Sequence, residues 1–102
     1  MAKFDIYVNP NKAATHHLYV DVQSDFVRLS TRWCIPLYRY LPPRPIIQGA
    51  QALIEVDRQQ YVMDVPNLLA VPASLLRQQV GRLSSSDQLV AESCIEFMLR
   101  GY

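Results

Sequence analysis

The sequence predicts a mainly β domain of the α+β class, with antiparallel strands followed by one C-terminal α-helix. Two observations carry that expectation. Short runs of β-forming residues alternate with turn signals through the first two-thirds of the chain. A single segment, at the end, has apolar residues at helical spacing. The length of 102 residues and the mass of 11.7 kDa fit one domain over residues 1–102. Area scaling gives a folded surface of about 5,900 Å², with about 65% of the unfolded surface buried, so the core is real but thin.

The first expected strand is Phe4–Val8, ended by the turn cluster Asn9-Pro10-Asn11. Leu18–Gln23 follows. Leu18, Val20 and Val22 share one face and Tyr19, Asp21 and Gln23 the other, the pattern of a half-buried strand. Ser24-Asp25 bends the chain before Phe26 and Val27. The third run is Arg32–Tyr38. Pro36 cannot donate a ladder hydrogen bond, which predicts an edge strand or a bulge there. Pro42-Pro43-Arg44-Pro45 makes a stiff loop. Ala52–Val56 and Tyr61–Val65 read as a hairpin around Asp57–Gln60, although the turn lacks glycine. Asn67–Val71, between Pro66 and Pro72, reads as a loop with an apolar underside. Ala73–Val80 is ambiguous between helix and strand and ends at Gly81. The helix is expected over Ser86–Arg100, with Ser85 and Gln88 as a capping box and Gly101 at C′. Its stripe is Val90, Cys94, Phe97 and Met98, widened by Ala91, Ile95 and Leu99. So wide a stripe in so small a protein predicts that part of it, Met98 for instance, crosses a dimer interface.

Ten basic and nine acidic residues leave a net charge of +1, which excludes a nucleic-acid binder driven by bulk charge and gives no support for an anionic-membrane binder. No apolar run reaches a membrane span, and the first residues lack the apolar stretch of a signal peptide. Cys34 and Cys94, far apart in sequence, read as buried thiols of a reduced, cytoplasmic protein. His16-His17 is the only histidine pair, and adjacent residues rarely share a metal, so no metal or cofactor is expected. Three glycines leave no dinucleotide or phosphate loop. Asp21, Asp25, Asp57 and Asp64 read as solvated groups or turn caps rather than paired acids. Arg28, Arg32, Arg39 and Arg44 cluster in sequence around the third strand and the proline loop, where they suit carboxylate or phosphate partners.

Several segments together resemble the CcdB family of bacterial toxins. They are Leu18-Tyr19-Val20-Asp21-Val22-Gln23-Ser24-Asp25 with Phe26-Val27, then Ile35-Pro36-Leu37, Ala70-Val71-Pro72, and Cys94-Ile95-Glu96-Phe97-Met98 with Gly101 next to last. The resemblance covers residues 4–38 and 60–102, while Arg39–Asp57 matches only as a strand and loop pattern. It implies an SH3-like antiparallel barrel with a small extra sheet and a C-terminal helix, assembled as a homodimer. It further implies a protein that is not an enzyme, binding the A subunit of DNA gyrase and trapping gyrase on cleaved DNA. Carried over by position, the gyrase contacts are Phe26, Val27, Glu96, Leu99, Arg100, Gly101 and Tyr102. A cognate CcdA-like antitoxin with a disordered segment is also implied. The Arg39–Arg44 loop and the Asn9–His17 loop are its expected contact regions.

The chain departs from the family pattern at the tail. The family's best-known member has Trp where this chain has Arg100, Ile where it has Tyr102, and Asn where it has Glu96. Arg100 would set a cation against a gyrase arginine, and Tyr102 is the expected substitute aromatic anchor. Two alternatives follow. One is a degenerate toxin that binds antitoxin but not gyrase. The other is an endoribonuclease of the MazF/Kid type using Arg28 or Arg32 with Asp25 or His17.

Overall fold

The computed structural model describes residues 1–101, so the expectation for Tyr102 lies outside the described residues. Seven strands form one curled antiparallel sheet, and a single helix follows. The strands are β1 (Asp5–Val8), β2 (Leu18–Asp21), β3 (Thr31–Arg39), β4 (Gln51–Val56), β5 (Gln59–Asp64), β6 (Leu69–Pro72) and β7 (Gln79–Arg82). The helix α1 spans Ser85–Arg100. The mainly β architecture with a barrel-like sheet and a closing helix is the one expected.

Strand β3 organises the sheet. One edge pairs with β2 over Cys34–Leu37. The other edge is divided: Thr31–Cys34 pairs with β6, and Leu37–Arg39 pairs with β5. The β4–β5 hairpin therefore joins the main sheet through the end of β3. Pro36 sits in the middle of this central strand, not at an edge. The carbonyls of Trp33 and Leu37 accept from Val22 and His17 on the β2 side. Alternation then turns Pro36 to the other side, in the gap between the β6 and β5 pairings, where no ladder donor is required.

Two strands depart from expectation. Leu69–Pro72 is β6, not a loop; as an edge strand paired only to β3 it tolerates Pro72 at its end. The ambiguous segment is a 3-10 turn at Ala73–Leu75 and then β7, which pairs with β1 and runs through Gly81 rather than ending there. The hairpin turn is Asp57-Arg58, with φ of 51° and 66°. Both central residues are left-handed, as a type I′ turn demands, and glycine is absent.

The helix starts one residue earlier than expected. Its N-cap is Ser84, whose Oγ accepts from the Asp87 amide at 3.2 Å, while Gln88 donates to the Leu83 carbonyl. Gly101 closes it at φ 81°, donating to the Phe97 carbonyl. Ala91 and Cys94 are buried in the main core with Ile6, Val20, Ile35, Leu37 and Met63. Gly49, at φ 86°, lets the β3–β4 loop close on α1: a Cβ there would lie 3.0 Å from the Phe97 ring.

Candidate functional site

The candidate site is built from the loop between β2 and β3 and from the end of α1. The face of β2 expected to meet solvent is buried instead. Asp21 is 0% exposed and Arg32, opposite on β3, is 8% exposed. Arg32 Nε donates to Asp21 Oδ2 at 2.7 Å and the guanidinium donates to Asp21 Oδ1 at 3.0 Å. The same group reaches the Gln23 carbonyl and Asp25 Oδ1, both at 3.3 Å. Hydrogen bonding to Asp21 holds Arg32 above its ordinary pKa. A buried bidentate pair with further acceptors on the same guanidinium, in a fold where no buried side-chain polar atom among the described residues lacks a partner, is the arrangement that tolerates two charges out of water.

Gln23 clamps the loop. Its Nε2 donates to the Val27 carbonyl at 2.9 Å and its Oε1 accepts from the Trp33 amide at 3.0 Å. Asp25 accepts from the Lys3 amide at 3.0 Å. Asp21, Gln23 and Asp25 are thus the frame of the loop, and its tip projects. Phe26 is 98% exposed, and Val27 and Leu29 are also exposed. A fully exposed aromatic on a loop with so many anchors is presented rather than left over.

At the helix end, Glu96, Leu99, Arg100 and Gly101 are all exposed, Leu99 to 76%. Arg100 Nε lies 2.8 Å from Glu96 Oε2, one helical turn back. Two of the three residues that depart from the family pattern, Glu96 and Arg100, therefore pair with each other. Between helix end and loop lies an open, mostly apolar cleft of about 430 Å³, lined by Val22, Trp33, Leu68, Ile95, Met98 and Leu99. The cleft takes in the roots of the loop, Val22 and Trp33, whereas Phe26 and Val27 do not line it. Trp33 (56% exposed) and Leu68 were missed by sequence reasoning. Strand alternation sets Arg32 and Trp33 on opposite faces of β3, but it does not say that the arginine is the buried one.

The four clustered arginines separate in space. Arg32 is locked to Asp21, Arg28 is exposed on the loop, and Arg39 and Arg44 line a different notch with His16 and His17. The Arg32–Asp25 set raised for ribonuclease chemistry is engaged by Asp21 and by the Lys3 amide. Asp21 is a buried ion-pair partner and Asp64 a buried acceptor for Gln51 and Asn67, so neither is solvated, while Asp21 also caps the turn that follows it, accepting from the Gln23 amide at 3.0 Å. Cys34 and Cys94 are free and buried; burial, with Asp21 adding to it, pushes the Cys34 thiol up to about 12. No helix is long and apolar enough to cross a membrane among the described residues.

Fold and site together define a small β-domain that turns apolar side chains outward from a clamped loop and a capped helix end. The family comparison gives that class its identity. The chain belongs to the CcdB family, whose model, described as CcdB protein, matches residues 3–101 of 102. Membership makes it a toxin of a toxin–antitoxin system, from a family whose toxins act without catalysis. Comparison with curated proteins finds no match.

Proposed function

We propose that this toxin binds the A subunit of DNA gyrase in the cytoplasm and traps the enzyme on cleaved DNA, and that a cognate CcdA-like antitoxin reverses this. The observation that carries the reading is the presentation of Phe26, 98% exposed on a loop held by Asp21, Arg32 and Gln23. Phe26 and Val27 contribute the apolar contact, and Glu96, Leu99, Arg100, Gly101 and Tyr102 the second contact region. Pairing of Arg100 with Glu96 supports retention of gyrase binding, because the cation is answered within the helix before any gyrase arginine approaches.

The working form is a homodimer that joins two copies through the cleft carrying Trp33, Leu68 and Met98. The free protomer exposes 6442 Å², above the about 5,900 Å² typical of a monomer of this mass. A twofold toxin presents each contact twice to a twofold gyrase. Titration calorimetry of the purified protein into gyrase A subunit tests the reading. Saturable binding at one toxin dimer per A-subunit dimer, released by the antitoxin, is expected. Absence of heat and of co-migration, with the protein folded, would contradict it.

A further inference from the structure

The loop that carries Phe26 is not held by its own strands alone. The Val27 amide donates to the Ser24 carbonyl at 3.0 Å and the Phe26 amide to Ser24 Oγ at 3.3 Å, so the tip hangs on Ser24-Asp25. Asp25 Oδ1 in turn accepts from the Lys3 amide at 3.0 Å. Its contact with Arg32, at 3.3 Å, is longer, and that guanidinium is already engaged by Asp21 at 2.7 Å. Whatever fixes Lys3 therefore bears on Phe26. Lys3 sits in a turn: the Asp5 amide donates to the Ala2 carbonyl at 3.0 Å, and Phe4, third of the four residues, has φ 77° while Lys3 is not left-handed. That is a type II turn, whose third position usually holds glycine or asparagine. A bulky residue keeps left-handed backbone only where its surroundings over-determine it. Here the core takes the Phe4 ring, the Leu83 amide donates to the Phe4 carbonyl at 3.0 Å, and the Phe4 amide donates to the Asp21 carbonyl. Arg82, on β7, closes the arrangement. Its Nη1 donates to the Lys3 carbonyl at 2.7 Å and to Asp5 Oδ1 at 3.1 Å, while Asp5 Oδ2 accepts from the Ala2 amide at 3.0 Å.

We propose that Arg82 is a positioning residue for the Phe26 loop: from the edge strand β7 it pins the strained Ala2–Asp5 turn, and the Lys3 amide of that turn holds Asp25 and with it the loop tip. The use of the loop as a gyrase contact rests on the reading above; its fixation by Arg82 does not. The chain of contacts runs guanidinium, Lys3 carbonyl, Lys3 amide, Asp25 carboxylate, tip. Each link is a hydrogen bond of 3.0 Å or less. An apolar side chain presented to solvent gains affinity when the loop beneath it is already ordered, because less freedom is lost on binding.

The test compares backbone order parameters by NMR relaxation of the isotope-labelled full-length protein and four variants. Lys3→Pro deletes the one amide that holds Asp25, and the second position of a type II turn accepts proline. Lys3→Ala is its control: the side chain, which lies 5.0 Å over the Phe4 ring, is lost, but the amide stays. Arg82→Met keeps the stem and removes the donors. Arg82→Lys keeps a single cationic nitrogen, and one nitrogen serves both acceptors in the native chain. In Lys3→Pro and Arg82→Met, order parameters of residues 24–29 should fall from a rigid ~0.85 to under ~0.6, with β1, β2 and β7 still rigid. Lys3→Ala and Arg82→Lys should keep the loop ordered. The two loosened variants should also bind the gyrase A subunit about tenfold more weakly, since the loop must then order on binding. An ordered loop in Lys3→Pro, an equal loss of order in Lys3→Ala, or a loss spread over the whole sheet would overturn the proposal. A loop loosened by Lys3→Pro but not by Arg82→Met would overturn the role of Arg82. Failure of the gyrase reading looks different: the wild-type protein would not bind the A subunit, although the loop still loosens in the two variants.

Discussion

At the scale of single residues, the site depends on one inversion: Arg32 is inside and Phe26 is outside. Asp21 makes the first half possible. Asp21→Asn leaves the Arg32 charge without its buried bidentate partner, with only the exposed Asp25 carboxylate at 3.3 Å to answer it, and should cost about 3 kcal/mol in urea unfolding. A loss under about 1 kcal/mol would show that the pair is not what holds the loop. This pairing was not legible in the sequence, because alternation alone assigns Asp21 and Gln23 to a solvent face. Only the fold reveals that Tyr7, Cys34, Val71 and Leu76 cover that face. Cys34 gives a second prediction. Its thiol lies at about 12 in the folded chain against an ordinary 9.0, and burial also raises Cys94, Tyr7 and Tyr19. A folded pKa raised above the unfolded one gives stability that is complete below the unfolded value. It is lost as pH rises towards the folded value, because the unfolded chain releases the proton first. Stability should therefore fall from about pH 9 to 12, by up to ~1.4 kcal/mol per pH unit from Cys34 alone. Cys34→Val should flatten that slope. Identical slopes for the two proteins would contradict the assignment.

At the scale of elements, the sequence was readable where pattern and partner agree. The closing helix, its Gly101 cap and the β4–β5 hairpin follow from local signals. Strand β6 was hidden by Pro66 and Pro72, which mark a loop in an isolated sequence but are compatible with an edge strand. Strand β7 was hidden by Gly81 and the polar Gln78-Gln79, since a short edge strand needs little apolar character once β1 supplies the ladder. The hairpin turn is a place where sequence and geometry conflict. Asp57 and Arg58 both hold left-handed backbone, which glycine and asparagine adopt at lower cost. Replacing the pair by Asn-Gly (Asp57→Asn with Arg58→Gly) should stabilise the protein by about 0.5–1 kcal/mol in denaturant unfolding, without touching the site. A destabilised variant would show that the Asp57 or Arg58 side chain matters more than turn strain.

At the scale of the molecule, one apolar cleft is lined by the helix-end residues Met98 and Leu99 and by the loop roots Val22 and Trp33, while Phe26 and Val27 lie outside it, and the cationic notch between the Asn9–His17 and Arg39–Arg44 loops is a separate surface. The loop residues Phe26 and Val27 and the helix-end residues were nominated by the family resemblance alone, and the fold leaves the described ones exposed. Trp33 and Leu68 were not legible, because their exposure depends on which face of β3 the core takes and on where the chain turns after Val65–Asn67. That division separates stability from function. Phe26, exposed and touching no core, should be replaceable by Ala with a stability change within ~0.5 kcal/mol. The central claim is that this loop and the helix end present a gyrase-poisoning surface. The most direct measurement mixes the protein, or its Phe26→Ala variant, with the host's gyrase, supercoiled plasmid and ATP, then quenches with detergent and protease. Accumulation of linear DNA with the wild-type protein, reduced at least tenfold by Phe26→Ala, is the predicted result. No linear DNA from a folded wild-type dimer, or equal cleavage by the two proteins, would contradict it.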